Sequence, residues 1–180
     1  MRYPPQPIPL INKIDPEEYW AQPKFDGWRV VRENGKFYTR HGNELPQKIL
    51  ETLLANTTDY ALDLELVSTK GRERIPTILA GNDDQTGQLI LLDIMAPDIT
   101  IEKRHALAKE IAEKEGIMLA PLKLAHSWPN TNTLLREAFD RKYGIICDGI
   151  VLKKKESLYP ISELGQICFS SWVKIKTYYE

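Results

Sequence analysis

Cysteine and histidine are scarce in this chain. Its 180 residues include two cysteines, Cys147 and Cys168, and three histidines. Two thiols make no disulfide framework, and no zinc-ligand spacing is present, so a reducing compartment suits the composition. No run of about 18 apolar residues occurs, so no membrane-spanning helix is expected. The N-terminus, MRYPPQPIPL, has prolines where a signal peptide would carry its apolar helix, which favours a cytoplasmic protein over a secreted one. Charge of one sign is lacking as well: 24 basic and 25 acidic residues leave a net charge of −1. Bulk charge therefore offers nucleic acid no attraction, and such a partner would need a local basic face. Internal repeats and low-complexity tracts are missing beyond the proline-rich start. The length suits one domain with a sizeable core, expected as a monomer.

Strands and helices interleave irregularly in what remains. Asp15, Pro16 and Glu18 predict a short capped helix. Asn34-Gly35, between GWRVVRE and KFYTR, is a strong hairpin signal. Ile49, Leu50, Leu53 and Leu54 recur at helical spacing, YALDLELV alternates, and QLILLDIM reads as a buried strand. IEKRHALAKEIAEKEG predicts an amphipathic helix stopped at Gly116, and TNTLLREAFDRKYG a second, stopped at Gly144. GIICDGIVLKKK and SWVKIK complete the strands, and residues 156–171, lacking periodicity, read as a surface loop. The pattern predicts α+β with mainly antiparallel sheets flanked by helices.

Several strands carry charge on one face. Asp63 and Glu65 share a face of their strand, opposite Leu62, Leu64 and Leu66. Trp172, Lys174 and Lys176 share a face by the same count, and Asp148 leads into an apolar strand. Each taken alone fits an exposed sheet face. Together they describe a polar groove with acids for a metal and lysines for phosphates. In that setting Lys24, in AQPKFDGWRVV, can be read as a nucleophile rather than a solvated lysine. At an ordinary pKa only about one lysine in a few thousand is neutral at pH 7. Burial, a divalent ion and neighbouring cations would correct this and stabilise charge on an attacked phosphate.

In order and spacing, from about residue 20 to residue 176, these elements resemble the nucleotidyltransferase domain of ATP-dependent DNA ligases. The wider group includes RNA ligases and mRNA-capping guanylyltransferases. Lys24-Phe25-Asp26-Gly27-Trp28-Arg29 matches the opening motif and YTRHG the next element. LDLELV resembles the acidic strand, LLDIM the Phe-Asp strand, CDGIVLKK the Glu-Gly-Ile-Val-x-Lys strand and WVKIK the closing strand. The resemblance implies an ATP-grasp-like nucleotide groove in which Lys24 forms a lysyl-AMP from ATP. Gln22, Pro23, Lys24, Phe25, Arg29, Glu65, Leu92, Lys174 and Lys176 would contact the nucleotide. Glu65 and Asp148 would hold Mg2+ (or Mn2+), and Arg40 and Lys153 would meet nucleic acid. AMP would pass to the 5′-phosphate of nicked double-stranded DNA, which is then sealed.

This chain departs from the pattern at four places. Leu92 replaces an adenine-stacking aromatic, Gln22 an acid, Asp148 a glutamate, and Leu64 a small residue that periodicity turns into the core. The OB-fold domain that usually follows is expected to be absent from residues 1–180, and another chain could supply it. Rival readings are an RNA ligase with the same chemistry, a catalytically impaired nucleotide- or DNA-binding module, and a purely structural domain. Lys153, Lys154 and Lys155 read either as a solvated strand end or as a nucleic-acid contact with steep salt dependence. Trp172 reads either as an anchor of the last strand or as a nucleotide contact. Lys103 and Arg104, cations in a helix's first turn, point to a partner.

Overall fold

The computed structural model describes residues 1–11, 13–54, 58–82, 86–125, 133, 136–137, 142 and 144–176. In chain order its strands are β1 (Gln6–Pro9), β2 (Tyr19–Phe25), β3 (Trp28–Glu33), β4 (Lys36–Thr39), β5 (Leu62–Ser68), β6 (Gly87–Ile94), β7 (Met118–Leu119), β8 (Lys123–Leu124), β9 (Cys147–Lys154) and β10 (Cys168–Lys176). The described α-helices are α1 (Gln47–Leu53), α2 (Ile75–Leu79) and α3 (Ile101–Glu115). One five-stranded sheet runs β1-β10-β9-β2-β8 and the other β4-β3-β5-β6-β7. Pairing is antiparallel except for β1 with β10 and β6 with β7. The chain is α+β, with two mainly antiparallel sheets and few helices.

Local chemistry accounts for most boundaries. Asn34 and Gly35 take φ of 51° and 75°, as a tight two-residue hairpin requires, and so pair Glu33 with Lys36. Gly116, at φ 66°, closes α3 with its N–H on the Ala112 carbonyl. Asp15 accepts from the Glu17 N–H, but the expected helix is a single 3-10 turn, Pro16–Glu18, because Tyr19 already belongs to β2. The second helix expected over 131–144 lies largely outside the described residues.

The alternation in β5 sorts as the sequence predicts. Leu62, Leu64 and Leu66 are fully buried with Leu50 of α1 and Ala108 and Ala112 of α3. Asp63 and Glu65 point the other way, toward the first sheet. Two further clusters join the sheets: Phe25, Val67, Ile90 and Cys147 in one, Val31, Met95, Tyr159 and Trp172 in the other. Residues 156–171 are not simply a surface loop. Ser157 and Tyr159 are buried, and β10 begins at Cys168. The proline-rich start supplies edge strand β1, where a missing N–H is tolerated. No described helix is long and apolar enough to cross a membrane.

Candidate active site

Strand register sets the site. Across β2, β9 and β10, Lys24 stands opposite Gly149 and Gly149 opposite Lys176. The next rows are Gln22–Val151–Lys174 and Trp20–Lys153–Trp172. Alternate residues share a face, so these rows lie on one surface, turned toward the second sheet. There Arg29 stands opposite Glu65, and Asp63 opposite Asp93. A cavity of about 380 Å³ opens between, lined by Gln22, Lys24, Arg29, Glu65, Leu92 and Lys174 among others. Pro23, Phe25 and Arg40 also border it.

Both Asp-Gly pairs owe their glycine to close backbone approach. A Cβ on Gly27 would lie 2.3 Å from the Leu66 carbonyl oxygen, and one on Gly149, at φ 146°, 1.9 Å from that of Ile175. Gly27 thus lets the Lys24 turn lie against β5, and Gly149 lets β9 lie against the strand that carries Lys174 and Lys176.

Lys24 Nζ is 2.6 Å from Asp148 Oδ1, and Lys176 Nζ is 3.3 Å from Asp148 Oδ2. Asp148 therefore bridges the two amines, and an incoming phosphate or cation must compete for them. Among the described residues Glu65 has no such partner: burial pushes its carboxyl up to about 8, with Arg29 and Lys24 pulling the other way. Arg29 grips both oxygens of Asp63, with Nε 2.6 Å from Oδ1, and donates from Nη1 to the Pro5 carbonyl at 2.6 Å. Burial alone would depress this guanidinium, but Asp63 outweighs it and holds Arg29 above its ordinary value. The Tyr159 hydroxyl donates to Asp63 Oδ2 at 2.8 Å. Gln22, itself buried, spends one amide N–H on the Leu92 carbonyl at 3.0 Å, tying β2 to β6. Leu92 packs against the cluster around Phe25 and offers the cavity an aliphatic wall.

Two expectations are corrected. Lys153 is 3% exposed, its Nζ 3.1 Å from Asp93 Oδ2 and 4.3 Å from the centre of the Trp172 ring. It is an interior ion-pair partner, out of reach of a nucleic-acid backbone. Arg104 is fully buried, donating to Asp93 from Nε at 2.9 Å and to the Ile99 carbonyl at 2.7 Å, so α3 needs no outside partner to explain it. Burial would raise Asp93, but Lys153 and Arg104 hold its carboxyl below the usual range. Trp172 is buried edge-on against Tyr159 and Phe169, an anchor of β10. Lys154 and Lys155 stay at the strand end, Lys154 facing Glu18 at 3.5 Å. Sequence reasoning passed over Tyr159, which no periodicity marks, and Arg72, which borders the cavity from the 3-10 turn after β5.

Among the described residues no group of three or more His, Cys, Asp or Glu side chains forms a metal cage. Glu65 and Asp148 alone suit an ion shared with substrate phosphates, the way Mg2+ is commonly held, rather than one bound by protein alone.

At the level of sequence the chain matches no family model and none of the curated proteins compared with it. Its fold, however, is that of the nucleotidyltransferase domain of ATP-dependent DNA and RNA ligases. It superposes on a Lig E DNA ligase with a TM-score of 0.71 at 17% identity, covering 96% of this chain and 69% of that one. The Chlorella virus DNA ligase-adenylate gives 0.70 at 14% identity, covering 97% and 67%. An archaeal ATP-dependent RNA ligase gives 0.67 at 14% identity, covering 98% and 48%. The chain thus spans between about half and two thirds of these proteins' lengths.

Proposed function

We propose that this chain is the catalytic domain of an ATP-dependent polynucleotide ligase in which Lys24 carries AMP. The observation that supports this most is the placement of Lys24 and Lys174 on adjoining rows of one sheet face, bordering a cavity walled by Glu65 and Arg29. Two lysines and three arginines border this one cavity, which suits a phosphate, and a lysine among them suits phosphoryl chemistry.

Lys24, freed from Asp148 and having lost a proton to solvent, attacks the α-phosphorus of ATP. A nitrogen–phosphorus bond forms, the bond to the β-phosphate oxygen breaks, and pyrophosphate leaves. Lys174 and Lys176 stabilise charge on the α-phosphate oxygens. Arg29, held rigid by Asp63 and Tyr159, and Glu65 orient the ribose, while Leu92 and Phe25 pack on the base. Magnesium held by Glu65 and Asp148 with phosphate oxygens would neutralise the triphosphate. AMP then passes to a 5′-phosphate, and a neighbouring 3′-hydroxyl displaces it. Nicked DNA is the preferred substrate because YTRHG and Arg29 resemble the DNA-ligase pattern. Arg40, exposed at the cavity mouth, is suited to a strand phosphate.

Incubation with magnesium and ATP labelled at the α-phosphate, followed by a denaturing gel, tests the reading. Covalent label from ATP that disappears in Lys24→Ala is expected, and a folded wild-type protein that takes up no label would overturn it. Nicked DNA and nicked RNA duplexes then separate the two substrates.

A further inference from the structure

One cation at the cavity has no task in the proposed transfer of AMP. Arg72 opens the 3-10 turn Arg72–Arg74, directly after Gly71. Its side chain borders the cavity, and its charge reaches Glu65, where it opposes the upward push of burial. The cavity's other arginines and its candidate nucleophile are engaged. Arg29 is spent on Asp63 and the Pro5 carbonyl, Lys24 on Asp148, and Arg40 donates from Nε to His41 Nε2 at 2.9 Å. Arg72 only approaches Asp26, Nη1 to Oδ1 at 3.7 Å, too far for a hydrogen bond, with the two side chains 54% and 31% exposed. Among the described residues its guanidinium makes no hydrogen bond, so its planar fork of donors is available to a bidentate anion.

Arg72 also stands in a useful place. Lys24, Lys174 and Lys176 belong to the first sheet, whereas Arg72 follows β5 of the second. In-line displacement at the α-phosphorus puts the leaving group on the far side from the attacking nitrogen, toward the facing wall. We infer that Arg72 binds the β- and γ-phosphates of the nucleoside triphosphate and the pyrophosphate that departs, with Asp26 holding the guanidinium at the cavity until the anion arrives. The inference rests on the proposed nucleotidyltransferase function but assigns a residue that none of the recognised motifs contains.

Calorimetric titration of the whole chain, in magnesium, with α,β-methylene-ATP, pyrophosphate and AMP tests it, since the methylene analogue binds without transferring AMP. Arg72→Ala should weaken the analogue and pyrophosphate by about ten- to a hundredfold, the range expected for losing charge-assisted hydrogen bonds. AMP affinity should stay unchanged, and Arg72→Lys should restore part of the loss. Equal weakening of all ligands, or of AMP alone, would overturn the phosphate assignment, as would unchanged binding of the analogue. Failure of the wild-type chain to bind any of the three ligands would overturn the nucleotidyltransferase reading and this inference together, an outcome distinct from loss of Arg72's role alone.

Discussion

Glu65 and Arg29 are cross-strand neighbours with opposite electrostatic situations. Arg29 has a carboxylate on both nitrogens of its fork, while Glu65 is a half-buried acid with no paired cation among the described residues. Because burial lifts Glu65 from 4.5 to about 8, the folded chain holds a proton there that the unfolded chain releases. Stability from this group is fully present below pH 4.5 and declines as pH rises toward about 8. Glu65→Gln, which mimics the protonated form, should match the wild type in thermal melts at pH 4. At pH 9 it should melt higher by several degrees, each kcal/mol being worth about 2–4 °C in a chain of this size. The same substitution should weaken magnesium-dependent nucleotide binding, so the residue is held at some cost in stability at alkaline pH. A melting difference independent of pH would show that the acid is not buried in this way.

At the scale of elements, the strands work because two glycines let backbones meet where side chains could not. Gly149 stands between Lys24 and Lys176 in one cross-strand row. Gly149→Ala combines a left-handed φ with a Cβ placed 1.9 Å from a carbonyl oxygen, so β9 must move away from β10. The conformational part alone costs about 1–3 kcal/mol. The expected result is a melt lowered by several degrees and slower labelling by ATP, because Asp148 and Lys176 shift together. The Asn34–Gly35 hairpin and the Gly116 stop lie far from such contacts, and their conformations follow from their own residues. That is why both were legible in the sequence, as was the alternation that sends Leu64 inward and Glu65 toward the cavity. The 3-10 turn at Pro16–Glu18 and edge strand β1 were not, since pairing with distant strands decides them.

For the whole molecule, a buried network ties the two sheets together. Asp93 on β6 receives Lys153 from β9 and Arg104 from α3, and the Tyr159 ring lies under Arg104 at 5.6 Å while its hydroxyl reaches Asp63. Through Asp63 the network ends on Arg29 at the cavity wall. Asp93→Asn leaves two interior cations short of a charge and should cost about 3–5 kcal/mol, read as an earlier denaturant midpoint with the slope unchanged. The residue types and spacing of the chain determined the α+β class, the hairpin, and the faces on which Glu65, Lys174 and Lys176 fall, because those depend on local periodicity. Only the tertiary structure decided that Lys153 and Arg104 are interior charges, that Tyr159 supports Arg29, and that Arg72 enters the cavity. Charge and periodicity mark a side chain as polar. Whether it ends in water, on a carboxylate or in a cavity depends on strands brought together from opposite ends of the chain.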